Sequence, residues 1–131
     1  MSAPAFVPAD RDLARVHRTL HSRFLALQAV MRELLDPIFA TEGMRIRERQ
    51  AYLYAIGRDL PGRIVTYAKP GESLHERGLA VDFAFDKPKG GNIWKGPWEV
   101  VGEQAERLGL VWGGRWKRPD RPHLQLAEAD W

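Results

Sequence analysis

Hydrophobic positions between residues 10 and 35 recur at the spacing of α-helices. The stronger pattern places apolar residues at i, i+3, i+7, i+10 and i+11, namely Phe24, Leu27, Met31, Leu34 and Leu35. Such a stripe predicts a helix that packs one face on a core, and we expect Pro37 to end it. A shorter helix is predicted before it, beginning at Arg11 with Asp10 as its N-cap.

Two further helices are predicted from their end signals. Residues 48–56 have a helical pattern, and Gly57 stands where a glycine commonly follows a helix end. Pro97 suits the first position of a helix, and Gly109 would end that helix. Its apolar stripe comprises Trp98, Val101, Ala105 and Leu108.

Strands are predicted at residues 38–44, 79–85, 110–112 and 123–127, and a short one at 64–67 within the turn-rich segment 59–73. In the second of these, Ala80, Asp82 and Ala84 share one face. Helices come mostly before strands, which favours an α+β fold. We therefore predict one compact domain over residues 10–131, with a small antiparallel sheet flanked by helices. Residues 1–9 are rich in Pro and Ala and are predicted to be a flexible lead-in.

The amino-acid composition limits the kinds of site that the chain can form. The chain has no cysteine, which excludes disulfides, a cysteine nucleophile and thiolate metal ligands. The net charge of +3 suits an anionic partner such as nucleic acid, anionic lipid or cell wall, although an ordinary soluble surface explains it equally well. The chain shows neither a secretory signal nor a run long enough for an integral membrane segment, so we expect synthesis in the cytoplasm.

The four histidines fall into two pairs. His17 and His21 stand at i and i+4 in the N-terminal helical region, a spacing that can bind a metal. No glutamate lies between them, and the neighbouring arginines Arg15, Arg18 and Arg23 would repel a cation. We therefore interpret this first pair as surface or capping histidines.

The second pair, His75 and His123, lies in different surroundings. His75 precedes a Gly turn, and the following strand carries Asp82 between Val81 and Phe83. A carboxylate in such a place is costly to bury without a cation or hydrogen bonds. Two imidazoles and one carboxylate are a ligand set for catalytic zinc, which keeps a fourth position for water. Alternatively, Asp82 pairs with an arginine and His75 is an ordinary loop residue.

Asp120 stands three residues before His123. A carboxylate beside a catalytic metal can take a proton from the attacking water and pass it to the leaving amine. The alternative is a simple turn acid. Trp112 and Trp116 could line a substrate groove, and core packing explains Trp112 at least as well.

Several segments together resemble a known family. The segment SLHERGLAVDF is similar to the S-x-H-x-x-G-x-A-x-D motif of the D-alanyl-D-alanine carboxypeptidase and L-alanyl-D-glutamate endopeptidase family of zinc peptidases, which includes phage endolysins and vancomycin-resistance enzymes. EGMRIRERQ resembles the family's E-G-x-R-x-x-x-x-Q segment, and VWGGRWKRPDRPH resembles the W-G-G-x-W and D-x-x-H ending of its endopeptidase branch. The resemblance covers roughly residues 13–126 and implies a Hedgehog/DD-peptidase-like fold.

The resemblance implies a role for each matching residue. One zinc ion per chain would be bound by His75, Asp82 and His123, with Asp120 as general base and acid. Arg45 would bind substrate and steady the oxyanion. Ser73, Gln50 and Trp116 are the further substrate-binding candidates. Met44 and Ile46 depart from the aromatic residue and the serine common in relatives, which bears on substrate preference more than on the zinc site.

The sequence leaves three functional hypotheses. The first is an L-alanyl-D-glutamate endopeptidase that acts on the peptidoglycan stem peptide. On this hypothesis the protein is a monomer that binds no nucleic acid and serves as a phage or prophage endolysin released through a holin. The second is a D,D-carboxypeptidase or dipeptidase of the same family. The third is a non-catalytic basic module that binds cell wall or nucleic acid.

Overall fold

A computed structural model describes residues 3–131. Three helices, α1 (Arg18–Glu33), α2 (Arg47–Ala55) and α3 (Trp98–Arg107), accompany four strands, β1 (Ile38–Glu42), β2 (Ala80–Phe85), β3 (Leu110–Trp112) and β4 (His123–Leu126). All strand pairs are antiparallel, in the order β1-β2-β4-β3. The predicted α+β domain with a small antiparallel sheet is confirmed.

The central strand β2 separates two environments. Val81, Phe83 and Phe85 belong to the hydrophobic core, which also contains the buried stripe of α1 and the inner face of α3. Asp82 points to the opposite face, where its partner in register is His123 of β4. Because side chains alternate along a strand, one face of the sheet supports the core and the other can carry polar residues.

The start of the helical region differs from the prediction. Instead of a helix from Arg11, a single 3-10 turn spans Leu13–Arg15, and Asp12 caps it by accepting from the backbone N–H of Ala14. Asp10 is therefore not the N-cap of a helix. Its carboxylate accepts a hydrogen bond from the N–H of Asp12 and forms an ion pair with Arg15. Helix α1 then begins at Arg18 with His17 as its N-cap.

The end of α1 also differs. The predicted core positions Leu34 and Leu35 are 47% and 86% exposed. Helix α1 ends at Glu33, and Leu35 adopts a left-handed conformation with φ of 66°. This turn takes both leucines off the buried face before Pro37 is reached. The stripe that is buried consists of Leu20, Phe24, Leu27 and Met31.

The strand predicted at residues 64–67 is absent. The backbone carbonyls of this region accept from side chains instead: Thr66 from Arg58 and Ala68 from Gln50. Its side chains Ile64, Val65 and Tyr67 are exposed. The other predicted helices and strands are confirmed to within two residues at each end. Among residues 3–131, no helix is both long and apolar enough to cross a bilayer.

The predicted lead-in, residues 1–9, lies partly outside the described residues, which omit Met1 and Ser2. Within the described part, the Phe6 ring packs edge-on against Tyr52, and the Val7 carbonyl accepts a hydrogen bond from Arg49. The boundary at residue 10 stays a prediction.

Candidate active site

A cleft of about 410 Å³ opens on the polar face of the sheet. Its walls come from the end of β1 and the loop after it, the segments 65–68 and 72–75, strand β2, and the segment 116–125. The polar and aromatic side chains that line it are Glu42, Arg45, Thr66, Glu72, Ser73, His75, Asp82, Trp116, Asp120, His123 and Gln125. All but one of the predicted site residues therefore lie around one cavity, the exception being Gln50.

Three of these side chains converge at the floor of the cleft. Asp82 Oδ1 lies 3.3 Å from His75 Nε2 and 3.5 Å from His123 Nδ1. Asp82 and His123 are opposite residues of β2 and β4, while His75 comes from the 3-10 turn Leu74–Arg77. One ligand atom from each residue lies within 4.8 Å of the other two.

The outer nitrogens of both imidazoles are held by hydrogen bonds. His75 Nδ1 lies 2.9 Å from the Gly43 carbonyl, and His123 Nε2 lies 2.9 Å from Gln125 Oε1. With these oxygens as acceptors, each ring donates on its outer side and presents a lone pair on its inner side. Such outer hydrogen bonds orient histidines that bind metals.

The arrangement fits a zinc-type ion. Asp82 Oδ1 is buried and has no hydrogen-bond partner within residues 3–131, although two imidazole nitrogens face it. Two nitrogens and one carboxylate oxygen suit zinc better than magnesium or calcium, which prefer oxygen ligands. The arginine alternative for Asp82 is also visible, since Arg45 Nη2 lies 3.8 Å from its other oxygen, Oδ2.

Electrostatics couple these ligands. Burial alone would raise the pKa of Asp82, but the adjacent His75 and His123 rings hold it well below its usual range. Burial would lower the pKa of His123, and the hydrogen-bonding and charge of Asp82 raise it instead. Asp82 is therefore ionised, and a bound cation would replace the proton that the raised pKa favours on His123.

The turn that carries His75 is fixed by local hydrogen bonds. Ser73 is its N-cap and accepts from the His75 N–H at 3.2 Å, while Glu76 accepts in return from the Ser73 N–H. Gly78 closes the turn with φ of 69°, a left-handed conformation that glycine adopts without strain. Ser73 thus orients the His75 turn and also lines the cleft.

Asp120 lies at the rim of the same floor. Its Oδ2 is 4.0 Å from His123 Nδ1, and the side chain is 54% exposed. Partial burial, followed by the charge of Asp82, raises the pKa of Asp120. A carboxylate in this position can reach both the ligand cluster and a molecule in the cleft, as a proton-transfer group must.

The guanidinium of Arg45 is buried in an ion network, with only 8% of its side chain exposed. It donates from Nε and Nη2 to the two oxygens of Glu42, and from Nη1 to Gln50 Oε1. Gln50 is fully buried and also donates to the Ala68 carbonyl. This placement favours a positioning role for Gln50 over the substrate contact that the sequence predicts.

The two tryptophans have separate places. Trp116 lines the cleft, with its ring centroid 5.0 Å from that of His123. Trp112 is buried and donates its indole N–H to the Arg121 carbonyl, so core packing is confirmed for it. Residues 113 and 114 must be small: a Cβ at Gly113 would lie 2.4 Å from the Asp120 carbonyl, and one at Gly114 would meet the Trp112 ring.

His17 is a capping histidine, as predicted, because its Nδ1 accepts from the Thr19 N–H at the start of α1. The surface or capping role of His21 stays a prediction. Sequence reasoning assigned no role to Glu42, to the Gly43 carbonyl or to Gln125. The only available signal for Glu42 was its place in the E-G-x-R segment; a carbonyl acceptor leaves no trace in a sequence.

Comparison with known proteins agrees with this fold and site. The family model described as D-alanyl-D-alanine carboxypeptidase matches residues 66–126. The peptidoglycan L-alanyl-D-glutamate endopeptidase CwlK of Bacillus subtilis is 40% identical over an alignment of 131 positions, which covers 92% of this chain and 77% of that protein.

Solved structures share the architecture. The L-Ala D-Glu endopeptidase ChiX of Serratia marcescens superposes with a TM-score of 0.62 at 26% identity, covering 91% of this chain and 86% of that one. The vancomycin-resistance D,D-pentapeptidase VanY, solved in complex with Zn(II), gives a TM-score of 0.66 at 15% identity, covering 99% of this chain and 88% of that one, and shows likeness of fold alone. The chain thus belongs to the D-alanyl-D-alanine carboxypeptidase family of metallopeptidases.

Proposed function

We propose that this protein is a zinc-dependent endopeptidase that hydrolyses the L-alanyl-D-glutamate bond of peptidoglycan stem peptides. The observation that carries the proposal is the convergence of His75, Asp82 and His123 within 4.8 Å, with the Asp82 Oδ1 buried and lacking a hydrogen-bond partner in the described chain. The choice of bond is supported by the 40% identity to CwlK, whose name states this activity.

In this proposal His75 Nε2, His123 Nδ1 and Asp82 would hold one zinc ion per chain. When bound, zinc would supply a Lewis acid for the scissile carbonyl and would lower the pKa of a water nucleophile to about 7. The chain's own contribution is the alignment of the ligands, which the Gly43 carbonyl and Gln125 maintain from outside.

Asp120 would move the proton. Its carboxylate lies beside His123 yet is half exposed to the cleft, so it can accept a proton from the attacking water. The same group then donates this proton to the nitrogen of the leaving amine. Its raised pKa favours both transfers, because a base closer to neutrality also serves as an acid.

Arg45 would bind the substrate from the wall of the cleft. Three hydrogen bonds to Glu42 and Gln50 fix its plane, and its cleft-facing N–H groups would donate to a substrate carboxylate or to the oxyanion. Removing one preorganised donor of this kind from an acyl-transfer site costs about 2.7–4 kcal/mol of transition-state stabilisation. Trp116 would form the apolar wall, and Ser73 would hold the rim beside His75.

Digestion of purified peptidoglycan tests the proposal. We expect fragments whose new amino terminus is D-glutamate, identified by mass spectrometry, and glycan strands that keep L-alanine. Release of free D-alanine or of D-alanyl-D-alanine would instead support the carboxypeptidase or dipeptidase alternative, which agrees with the carboxypeptidase family model that the chain matches.

A non-catalytic cell-wall or nucleic-acid module is the alternative of another class. It predicts that the protein sediments with peptidoglycan and releases no soluble fragment from it. It also predicts that protein purified without added zinc contains no zinc.

The endolysin role and the monomeric state are part of our proposal. They predict lysis of cells expressing the protein only when a holin is co-expressed, and a single species of about 15 kDa by light scattering.

A further inference from the structure

Glu42 is a buried carboxylate shared by two arginines. Only 6% of the residue is exposed. Its oxygens accept from Arg45 Nε at 3.1 Å and Nη2 at 2.9 Å, and from Arg49 Nε at 2.9 Å and Nη2 at 3.3 Å. Each guanidinium therefore meets the carboxylate with two nitrogens, a geometry that fixes its plane as well as its distance.

An irregularity in β1 places this carboxylate beside the ligand cluster. The register of β1 and β2 shifts between Ala40 and Glu42, so Thr41 is left without a partner and Glu42 stands opposite Asp82. Such a bulge redirects the side chains that follow it. The next residue, Gly43, supplies the carbonyl that holds His75 Nδ1.

Glu42 shares its charge between two guanidinium groups. Arg45 Nη2 also lies 3.8 Å from Asp82 Oδ2, a carboxylate that a cation at the ligand cluster would engage. Burial would raise the pKa of Glu42, but the hydrogen bonds and charges of both arginines keep it below its usual value, so the carboxylate is ionised at neutral pH. The ion pairs thus fix the position of the Arg45 guanidinium, and three of its five N–H groups are used by Glu42 and Gln50.

Arg49 is itself anchored on the far side. Its Nη1 donates to the Val7 carbonyl at 2.7 Å. Its side chain is 14% exposed, and Arg49, unlike Glu42 and Arg45, does not line the cleft. Arg49 therefore holds Glu42 from the side away from the cleft.

We propose that Glu42 is a positioning residue for the peptidase reaction, acting through Arg45. The substrate role of Arg45 rests on the proposed function. Both oxygens of Glu42 are engaged by the two arginines, so its effect on the reaction should depend on the presence of the Arg45 guanidinium.

A double-mutant cycle isolates this dependence. Glu42→Gln keeps the shape and removes the charge, and we expect it to lower kcat/KM about 10- to 100-fold, the range for groups that orient site residues. In an Arg45→Ala background the same substitution should change kcat/KM less than about twofold, because the guanidinium that Glu42 positions is gone. Multiplicative losses from the two changes would overturn the proposal.

A matched control separates positioning from general destabilisation. Leu27→Val removes one methylene from the core-facing side of α1, and should lower Tm while leaving kcat/KM and zinc content unchanged. If Leu27→Val loses activity as Glu42→Gln does at an equal fall in Tm, the role of Glu42 is merely structural.

A readout without substrate keeps this test apart from the proposed function. In the zinc-loaded protein, the ¹⁵N resonances of the Arg45 guanidinium should show slow rotation about Nε–Cζ, and fast rotation in Glu42→Gln. If the wild type releases no peptidoglycan fragment, the proposed function fails while this measurement still decides whether Glu42 fixes Arg45. Equally fast rotation in wild type and variant would overturn the positioning role.

Discussion

Gly113 lies so close to Asp120 that a methyl group at position 113 would come within 2.4 Å of the Asp120 carbonyl oxygen. The same methyl would lie 3.1 Å from the Cβ of His123. The Gly113 carbonyl also accepts the N–H of Asp120 at 2.9 Å. The glycine thus sets the distance between the 113–116 turn and the segment that carries both residues.

Gly113→Ala should therefore displace Asp120 from its place beside His123. A shift of about 1 Å in a reacting group can lower turnover about 100-fold, so we expect a loss of that order in kcat. Zinc content should fall less than activity. Gly90→Asn is the control, since a Cβ at residue 90 meets nothing within 4 Å and asparagine tolerates the left-handed backbone there. Equal activity in both variants would contradict this account.

Metal content tests the ligand assignment. We expect about one zinc per chain by elemental analysis, from a three-ligand set with an open position. His75→Ala and His123→Ala should each lose both the metal and the activity. His17→Ala is the matched control: it should keep zinc and lose only its helix cap, about 0.5–2 kcal/mol of stability. Stoichiometric zinc in the His75/His123 double variant would overturn the assignment.

Asp120→Asn separates proton transfer from metal binding. The variant should keep the fold and the zinc while kcat falls about 10²–10⁴-fold, the usual contribution of a general base. The measurements are kinetics on purified peptidoglycan and zinc analysis of the same sample. Near-normal turnover, or zinc lost together with the carboxylate, would contradict the proposed role.

Two substitutions of Arg45 test whether its charge and its planar guanidinium are both needed. Arg45→Lys keeps the charge without the planar fork and should remain partly active, whereas Arg45→Ala should be nearly inactive, with zinc unchanged in both. The loss should appear in kcat as well as KM, because an oxyanion contact strengthens in the transition state. Arg47, exposed at the start of α2, is the control. Arg49 is unsuitable as a control, since it shares Glu42 with Arg45.

Acid should destabilise the metal-free protein partly through Glu42. Its pKa in the folded state lies below the model-compound value of 4.5, so the carboxylate contributes stability that is complete above that pH. This contribution is lost as pH falls through the lower, folded-state pKa. Denaturant unfolding at pH 7 and near pH 3 should show a smaller acid loss for Glu42→Gln than for wild type. Parallel losses would mean that Glu42 carries no such linkage.

The surroundings of Asp82, His75 and His123 made them candidates for metal binding, and the resemblance to a known family then implied that they form one ligand set. Asp82 stands between two core residues, and His75 and His123 each adjoin turns before strands. Sequence could not predict the network behind them, because the pairing of Glu42 with two arginines depends on a register shift in β1. Likewise, nothing marked the Gly43 carbonyl as the partner of His75.

The fold was predicted where a periodic pattern and a stop signal agreed. The errors arose where they conflicted. Leu34 and Leu35 continue the apolar period of α1, but the left-handed turn at Leu35 ends the helix first. Residues 64–67 have strand-forming side chains, yet side chains of Arg58 and Gln50 bind the nearby carbonyls, so they do not join the sheet. Tertiary hydrogen bonds override local propensity at such places.

The alternation of side chains along β2 determines which substitutions can alter stability and which can alter activity. Its odd-numbered residues Val81, Phe83 and Phe85 contribute to the core, while Asp82 faces the cleft. Thermal robustness and catalytic preference are therefore encoded by different, interleaved positions. Repacking beneath the sheet, against α1 and α3, can raise the melting temperature without touching the chemistry, and directed evolution of the cleft walls can proceed on that stabilised background.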